Sequence, residues 1–255
     1  MISVHNLSLK IGKNQILKEI SFDVNKGEVL SIIGPNGAGK STMIKCLNLI
    51  NDDFFGEVLY NNEDIKGYET KEIAKIFSYV SQDMDSNNPF SVKELMHLSR
   101  YPFMNKYRSL EIEEIRLMNH YLEKLDVAHL IDRSINELSG GERQRVFVSS
   151  SLFQGSEVIL LDEPTSSLDP KHHQEILDVI LEEKKEGKTI IMVSHDINSS
   201  CHLSDKVLGL KNGEVQFLKE GKGLLKTELV DDLFDFKFTK LNHENEVYVI
   251  KGRAK

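Results

Sequence analysis

The stretch IIGPNGAGKST at 32–42 limits the fold more than any other part of the chain. Gly34, Gly39, Lys40 and Ser41 satisfy the pattern G-x-x-x-x-G-K-[ST]. It follows GEVLSIIG, an apolar run that reads as a strand, and it opens STMIKCLNLI, which is helical in character. Glycines let successive backbone N–H groups turn inward around a phosphate, and the N-terminus of the following helix adds partial positive charge. Gly34, Pro35, Asn36, Gly37, Ala38, Gly39, Lys40, Ser41 and Thr42 are therefore the expected phosphate-binding residues. Lys40 is expected to reach the β- and γ-phosphates of a nucleotide, the Ser41 hydroxyl to bind Mg²⁺, and Thr42 to add a phosphate contact.

The rest of the chain repeats that alternation. ISVHNLSLKI and QILKEISFDV near the amino terminus read as strands, and later a helix near 70–75, the strand IFSYV, the strand VILLD and the strand TIIMVS follow. A helix is expected over 171–186: Ile176/Ile180 and Leu177/Leu181 recur at helical spacing, Lys184 and Lys185 sit in its last turn, and Gly187 can close it. Apolar strands separated by helices indicate an α/β layer structure with a parallel sheet. Between Gln82 and Leu138 the texture changes to amphipathic helices with no strand signal, as in SVKELMHLSRYPF and SLEIEEIRLMNHYLEKLDVAHLI, which reads as an inserted helical subdomain. After Gly221, GLLKTELVDDLF reads as a helix and EVYVI as a late strand.

Composition narrows the function. The chain has 255 residues, 40% of them hydrophobic, enough for a sizeable core. A net charge of −8 with scattered basic residues argues against a nucleic-acid or anionic-lipid footprint. Its two cysteines, Cys46 and Cys201, both fall in stretches that read as helix, without metal-ligand or disulfide spacing, which fits a reducing compartment. MISVHNLSLK lacks the pattern of a secretory signal, and no apolar run approaches the roughly 20 residues of a membrane helix, so the chain itself is expected to be soluble.

VILLDE is an apolar strand that ends abruptly in two acids, an arrangement suited to a ligand crevice beyond the strand ends. Asp162 is expected to orient Mg²⁺ through water, and Glu163 to polarise the attacking water as general base.

In order and spacing, GPNGAGKST, Gln82, LSGGERQRV, LLDEP, the SSLD of 166–169 and VSHD with His195 resemble the nucleotide-binding subunit of ABC transporters, over nearly the whole chain. The chain looks most similar to the ATPases of importers for iron-siderophores, haem and cobalamin; SVKELMHLSRYPF resembles their segment before the signature, although Ser99 stands where glycine is more usual. The resemblance implies an α/β P-loop NTPase core with a parallel sheet, an N-terminal antiparallel β subdomain and an inserted α-helical subdomain. The expected layout is core at 1–82 and 156–220, helical subdomain with the signature helix at about 83–155, and a C-terminal extension at 221–255.

It also implies roles. Ser139, Gly140 and Gly141, at a helix start, would offer hydroxyl and backbone N–H donors to the γ-phosphate held by the other subunit's phosphate loop. One such loop and one signature per chain imply a head-to-tail homodimer with two shared ATP sites. Gln82 would contact Mg²⁺ and the attacking water, His195 the γ-phosphate, and Asp169 would couple the two sites. Ile11 stands where relatives commonly stack an aromatic on adenine, so weaker selectivity for adenine over guanine is expected. ATP and Mg²⁺ are the implied cofactors. Membrane-spanning permease subunits are the implied partners, with a separate substrate-binding protein acting indirectly, no nucleic acid, and a peripheral position on the cytoplasmic side of the cell membrane. The alternative is a soluble ATPase of the same superfamily acting in iron–sulfur cluster assembly. A module that binds ATP without hydrolysing it is disfavoured by Glu163 and His195.

Overall fold

The computed structural model describes residues 1–82, 88–104, 108–166, 168–244 and 246–252. The chain opens with β1 (Ile2–Ile11), β2 (Asn14–Val24), β3 (Val29–Ile33), α1 (Lys40–Leu47), β4 (Phe55–Tyr60) and β5 (Glu63–Asp64). Next come α2 (Thr70–Ile76), β6 (Phe77–Val80), α3 (Val92–Ser99), α4 (Ile112–Lys124), α5 (Gly140–Gln154), β7 (Val158–Asp162) and α6 (Pro170–Lys185). Then β8 (Thr189–Val193), α7 (Ile197–Leu203), β9 (Lys206–Lys211), β10 (Glu214–Glu220), α8 (Leu229–Phe234), β11 (Thr239–His243) and β12 (Glu246–Ile250) follow. They fall into two compact units, Met1–Tyr68 with Thr189–Lys255, and Glu69–Lys188.

In the first unit β2, β1, β4 and β5 form an antiparallel sheet in that order. Alternation along β1 puts Ile2 and Val4 inside and, after a register shift, Leu7 and Leu9, leaving polar residues outside. A second set of strands runs β10, β9, β3, β8. There β3 lies parallel to both β8 and β9, while β9 and β10 pair antiparallel. Every residue of β3 and of β8 is buried, the signature of strands covered on both faces, and their edges carry VLSII and TIIMV without alternation.

The carboxy-terminal part of this unit departs from expectation. GLLKTELVDDLF is a 3₁₀ turn at Leu224–Lys226 followed by α8, rather than one helix. The Thr227 hydroxyl explains the break: it donates to the Leu224 carbonyl (2.7 Å) and accepts from the Leu229 N–H (3.3 Å), competing with the helical ladder. EVYVI is the expected strand, β12, but its antiparallel partner β11 was hidden in a polar run. Asn198 on α7 holds this hairpin with its side-chain amide, donating to the Val249 carbonyl (3.0 Å) and accepting from the Val249 N–H (2.8 Å). Val249 then joins a core with Ile33, Cys201, Leu225 and Leu233.

In the second unit β6 and β7 pair in parallel, Phe77 opposite Val158. Among the described residues between them there are helices, 3₁₀ turns and one isolated bridge, Ser91 with Ser134, but no strand. Four helices start on the same device, a capping box: Glu69 with Glu72 for α2, Ser91 with Glu94 for α3, Glu111 with Glu114 for α4, and Ser139 with Glu142 for α5. Helix α5 is buried on most of its surface, including Gln144, Arg145, Ser149, Ser150 and Ser151 beside Val146, Val148 and Phe153. Its last carbonyls are met by Arg100, whose guanidinium donates to Gln154 (2.8 Å) and Phe153 (3.4 Å). Glu114 in turn bridges Arg100 and Arg108, which hold its carboxyl down to about 2, the Arg108 hydrogen bond being the main cause.

Candidate functional site

The expected site residues divide between the two units. In the first, β3 ends at Ile33 and the chain turns through 34–39 into α1. Gly34 and Gly39 are required by sterics. A Cβ on Gly34 would lie 1.9 Å from the Leu210 carbonyl oxygen, and one on Gly39, at φ 100°, would meet Leu17 Cδ2 at 2.8 Å. Helix α1 begins on that glycine with no side-chain cap and no acid in its first turn, so its N-terminal potential is not offset by a carboxylate. Lys40 is buried, and its ammonium donates to the loop's own carbonyls at Gly34 (2.9 Å) and Pro35 (3.0 Å). Ser41 and Thr42 are half-buried in the first turn, while Asn36 and Gly37 form the exposed tip. A loop with glycine required at positions 34 and 39, an uncapped helix start and a lysine folded across it fit a polyphosphate.

His195 also belongs to this unit. It follows β8, is exposed, and precedes Asp196, which caps α7 by accepting from the Asn198 N–H (3.0 Å) and the Ser199 N–H (3.2 Å). Ile11 ends β1 beside the hairpin turn and is 57% exposed, an apolar surface without a ring face.

In the second unit β7 places Asp162 and Glu163 at its C-terminal end, both buried, at 1% and 6% exposure. Glu163 adopts φ 55°. For a residue with a Cβ the left-handed region costs roughly 1–2 kcal/mol, so other contacts must hold it. Its carbonyl accepts from the Ser166 N–H (3.2 Å), the Ser166 hydroxyl (3.0 Å) and Gln144 Nε2 (3.3 Å). Its carboxylate accepts from Gln82 Nε2 (2.9 Å), so Gln82 and Glu163, 81 residues apart, are brought together. A carboxylate held at a strand end with one oxygen in a hydrogen bond is suited to orienting and deprotonating water. Mg²⁺ is commonly held by one or two carboxylates together with phosphate oxygens; the Asp162 carboxylate of this unit and the Ser41 hydroxyl of the first are each of that donor type. Among the described residues no cluster of three or more His, Cys, Asp or Glu could hold a metal alone.

The glycine-rich start of α5 is in this unit as well. Ser139 is the N-cap, with Gly140 exposed and Gly141 half-buried. Its hydroxyl (2.7 Å) and N–H (2.8 Å) both donate to Glu142 Oε2, and the Glu142 N–H donates back (3.3 Å). Those bonds hold the Glu142 carboxyl below its ordinary range. Asp169 caps α6: it accepts from the His172 N–H (3.0 Å) and from His172 Nδ1 (2.7 Å), which keep its carboxyl below the usual value. Ser167, inside the SSLD motif, lies outside the described residues.

From the sequence, Gln144 and Ser166 were members of the LSGGERQRV and SSLD motifs without a role of their own, and His172 carried no functional expectation; a polar side chain on the buried face of a packed helix was the further signal available for Gln144.

A glycine-lined phosphate loop and an acid-tipped strand on an α/β chain define a nucleotide-binding protein of the P-loop class. The family model described as ABC transporter matches residues 17–166. The iron(3+)-hydroxamate import ATP-binding protein of Bacillus subtilis is 37% identical over 88% of this chain and 82% of its own length. The phosphonates import ATP-binding protein of Fusobacterium nucleatum is 38% identical over 86% of this chain and 92% of its own. Among solved structures, the dimeric post-hydrolysis state of the ATP-binding cassette MJ0796 bound to ADP and Pi superposes with a TM-score of 0.75, at 28% identity over 88% of this chain and 100% of that one. The chain belongs to the ABC transporter family, as an ATP-binding and ATP-hydrolysing subunit. No helix among the described residues is long and apolar enough to cross a membrane.

Proposed function

We propose that this ATPase powers the import of an iron chelate of the siderophore, haem or cobalamin type, as a homodimer docked on membrane-spanning permease subunits at the cytoplasmic face. The observation that supports it is the similarity to the iron(3+)-hydroxamate import ATP-binding protein over 88% of the chain, together with the set of residues expected for hydrolysis. The import names of the relatives do not favour the soluble assembly ATPase. In this reading the loop 34–42 binds the phosphates of ATP, with Lys40 on the β- and γ-phosphates. Ser139, Gly140 and Gly141 of one subunit receive the γ-phosphate carried by the other, and Asp169 links the two sites. Ser41, Asp162 and Gln82 are the residues that would hold Mg²⁺, which would supply charge neutralisation to the bound nucleotide. Glu163 takes the proton of the attacking water, and His195 stabilises charge developing on the transferred phosphoryl group. Closure of the dimer drives the permease only to the extent that ATP favours the closed state. Ile11 leaves the adenine without a stacking partner.

The test is uptake of radiolabelled ferric siderophore by native cells carrying the wild-type chain or Glu163→Gln. Loss of uptake in the variant supports the proposal. Unchanged iron uptake with a loss of phosphonate uptake would move the cargo to the class named for the Fusobacterium relative. Purification of the tagged chain from detergent-solubilised membranes must also recover a polytopic permease; recovery with soluble assembly factors alone overturns the transporter assignment.

A further inference from the structure

Glu163 leaves β7 in a backbone conformation that its own side chain disfavours, and its carbonyl is where that conformation is held. Ser166 donates to it from the same turn. The remaining donor comes from another element: Gln144, 5% exposed, reaches from α5 and gives an Nε2–H to the Glu163 oxygen at 3.3 Å. A peptide rotated by tens of degrees swings a two-methylene carboxylate by ångströms, and a base misplaced by about 1 Å loses on the order of 10²-fold in rate.

We propose that Gln144 is a positioning residue for ATP hydrolysis: by holding the Glu163 carbonyl it sets the direction of the Glu163 carboxylate, and it does so from the helix that starts at Ser139 and Gly140. Gln144 touches no reacting group. The inference rests on the reading of Glu163 as general base and of the α5 start as a phosphate site, and it adds a path between them. A phosphate that docks at the N-terminus of α5 displaces Gln144 by rigid motion of the helix, and the Glu163 peptide follows. Because that phosphate belongs to the partner's ATP while Glu163 serves the chain's own, occupancy of one site tunes the base of the other.

The test is a double-mutant cycle between Gln144→Met, which keeps length and volume but removes the donor, and Glu163→Gln. Steady-state and single-turnover hydrolysis are read beside ATP binding and thermal melting. Expected is a fall in kcat of about tenfold or more for Gln144→Met, KM for ATP within twofold, a lower Hill coefficient for ATP, and no further loss when Gln144→Met is added to Glu163→Gln. Ser166→Ala, which leaves its own backbone N–H in place, is expected to lose less, and the pair Gln144→Met with Ser166→Ala more than either. An unchanged kcat in Gln144→Met while Glu163→Gln is inactive overturns the inference alone. So does an equal loss in the Glu163→Gln background, or a parallel loss of ATP binding, since either means the effect bypasses Glu163. If Glu163→Gln itself hydrolyses ATP at the wild-type rate, the general-base reading fails first.

Discussion

Helices α1 and α5 both start at glycine, and both starts are proposed to meet a phosphate, yet they are prepared in opposite ways. The start of α1 has no capping side chain and no acid in its first turn. That of α5 is closed on itself: Ser139 and Glu142 satisfy each other, and a carboxylate sits where an anion is expected. The first is an open site that takes a phosphate as folded. If the second binds a phosphate as proposed, it must exchange its own carboxylate for the ligand, an arrangement that would suit a site completing a dimer rather than one that captures free nucleotide.

Lys40→Ala should open the largest gap between the two. A hydrogen bond to a charged group contributes about 1.5–3 kcal/mol, so ATP affinity is expected to fall by about 10- to 100-fold in titration calorimetry, with some loss of melting temperature because the Gly34 and Pro35 carbonyls lose their donor. Equal affinity in wild type and variant would mean that the α1 site does not depend on the ammonium. Next in size is the base end of the nucleotide. With Ile11 exposed and apolar, ATP and GTP should bind comparably, and Ile11→Tyr should raise ATP affinity by about fivefold or more through stacking, which contributes on the order of 1–3 kcal/mol per base in nucleic-acid sites. Strong ATP preference in the wild type would refute this.

Glu142→Gln goes to the centre of the contrast. It keeps the capping geometry but removes the charge, and a charge at a helix N-terminus is worth about 0.3–1 kcal/mol, so ATP-dependent dimerisation should strengthen by about two- to fivefold at low salt and lose that gain at high salt. Sedimentation at two ionic strengths decides it; an unchanged dimer constant would show that the carboxylate swings clear at no cost. The smallest effect concerns the far end of α5. Glu114 is held near 2 by Arg108 and Arg100, below its unfolded value near 4.5. Its contribution is therefore complete above about pH 4.5 and is lost as pH falls from there towards 2. Glu114→Gln is expected to lower the melting temperature by about 2–4 °C at pH 7, for a loss of about 1 kcal/mol, and to show less additional acid lability than the wild type over that window. Identical acid melting curves would remove Glu114 from the stabilisation of α5.

How much of this was legible follows the same contrast. The α1 site is a continuous pattern: sterics at Gly34 and Gly39 and a lysine one residue on are local facts, written in eleven letters. The parallel β3 and β8, both buried throughout, were legible from short, largely apolar runs. By contrast, the contact from Gln82 to Glu163 spans 81 residues, and the one from Gln144 comes from a helix whose buried serines and glutamine look like a polar surface. The break at Thr227 and the strand β11 were missed because a single hydroxyl and a cross-strand partner outweighed local propensity.

The sequence by itself determined the chemistry available to this protein: a phosphate loop, an acid-tipped strand and a glycine-led helix, each encoded within one stretch where backbone sterics and periodicity act between near neighbours. Only the tertiary structure decided how those parts are held. The left-handed peptide of Glu163, its clasp by Gln144, Ser166 and Gln82, and the self-closed start of α5 depend on hydrogen-bond geometry. Such geometry, unlike residue order, exists only once distant segments have packed to within 3.5 Å of one another.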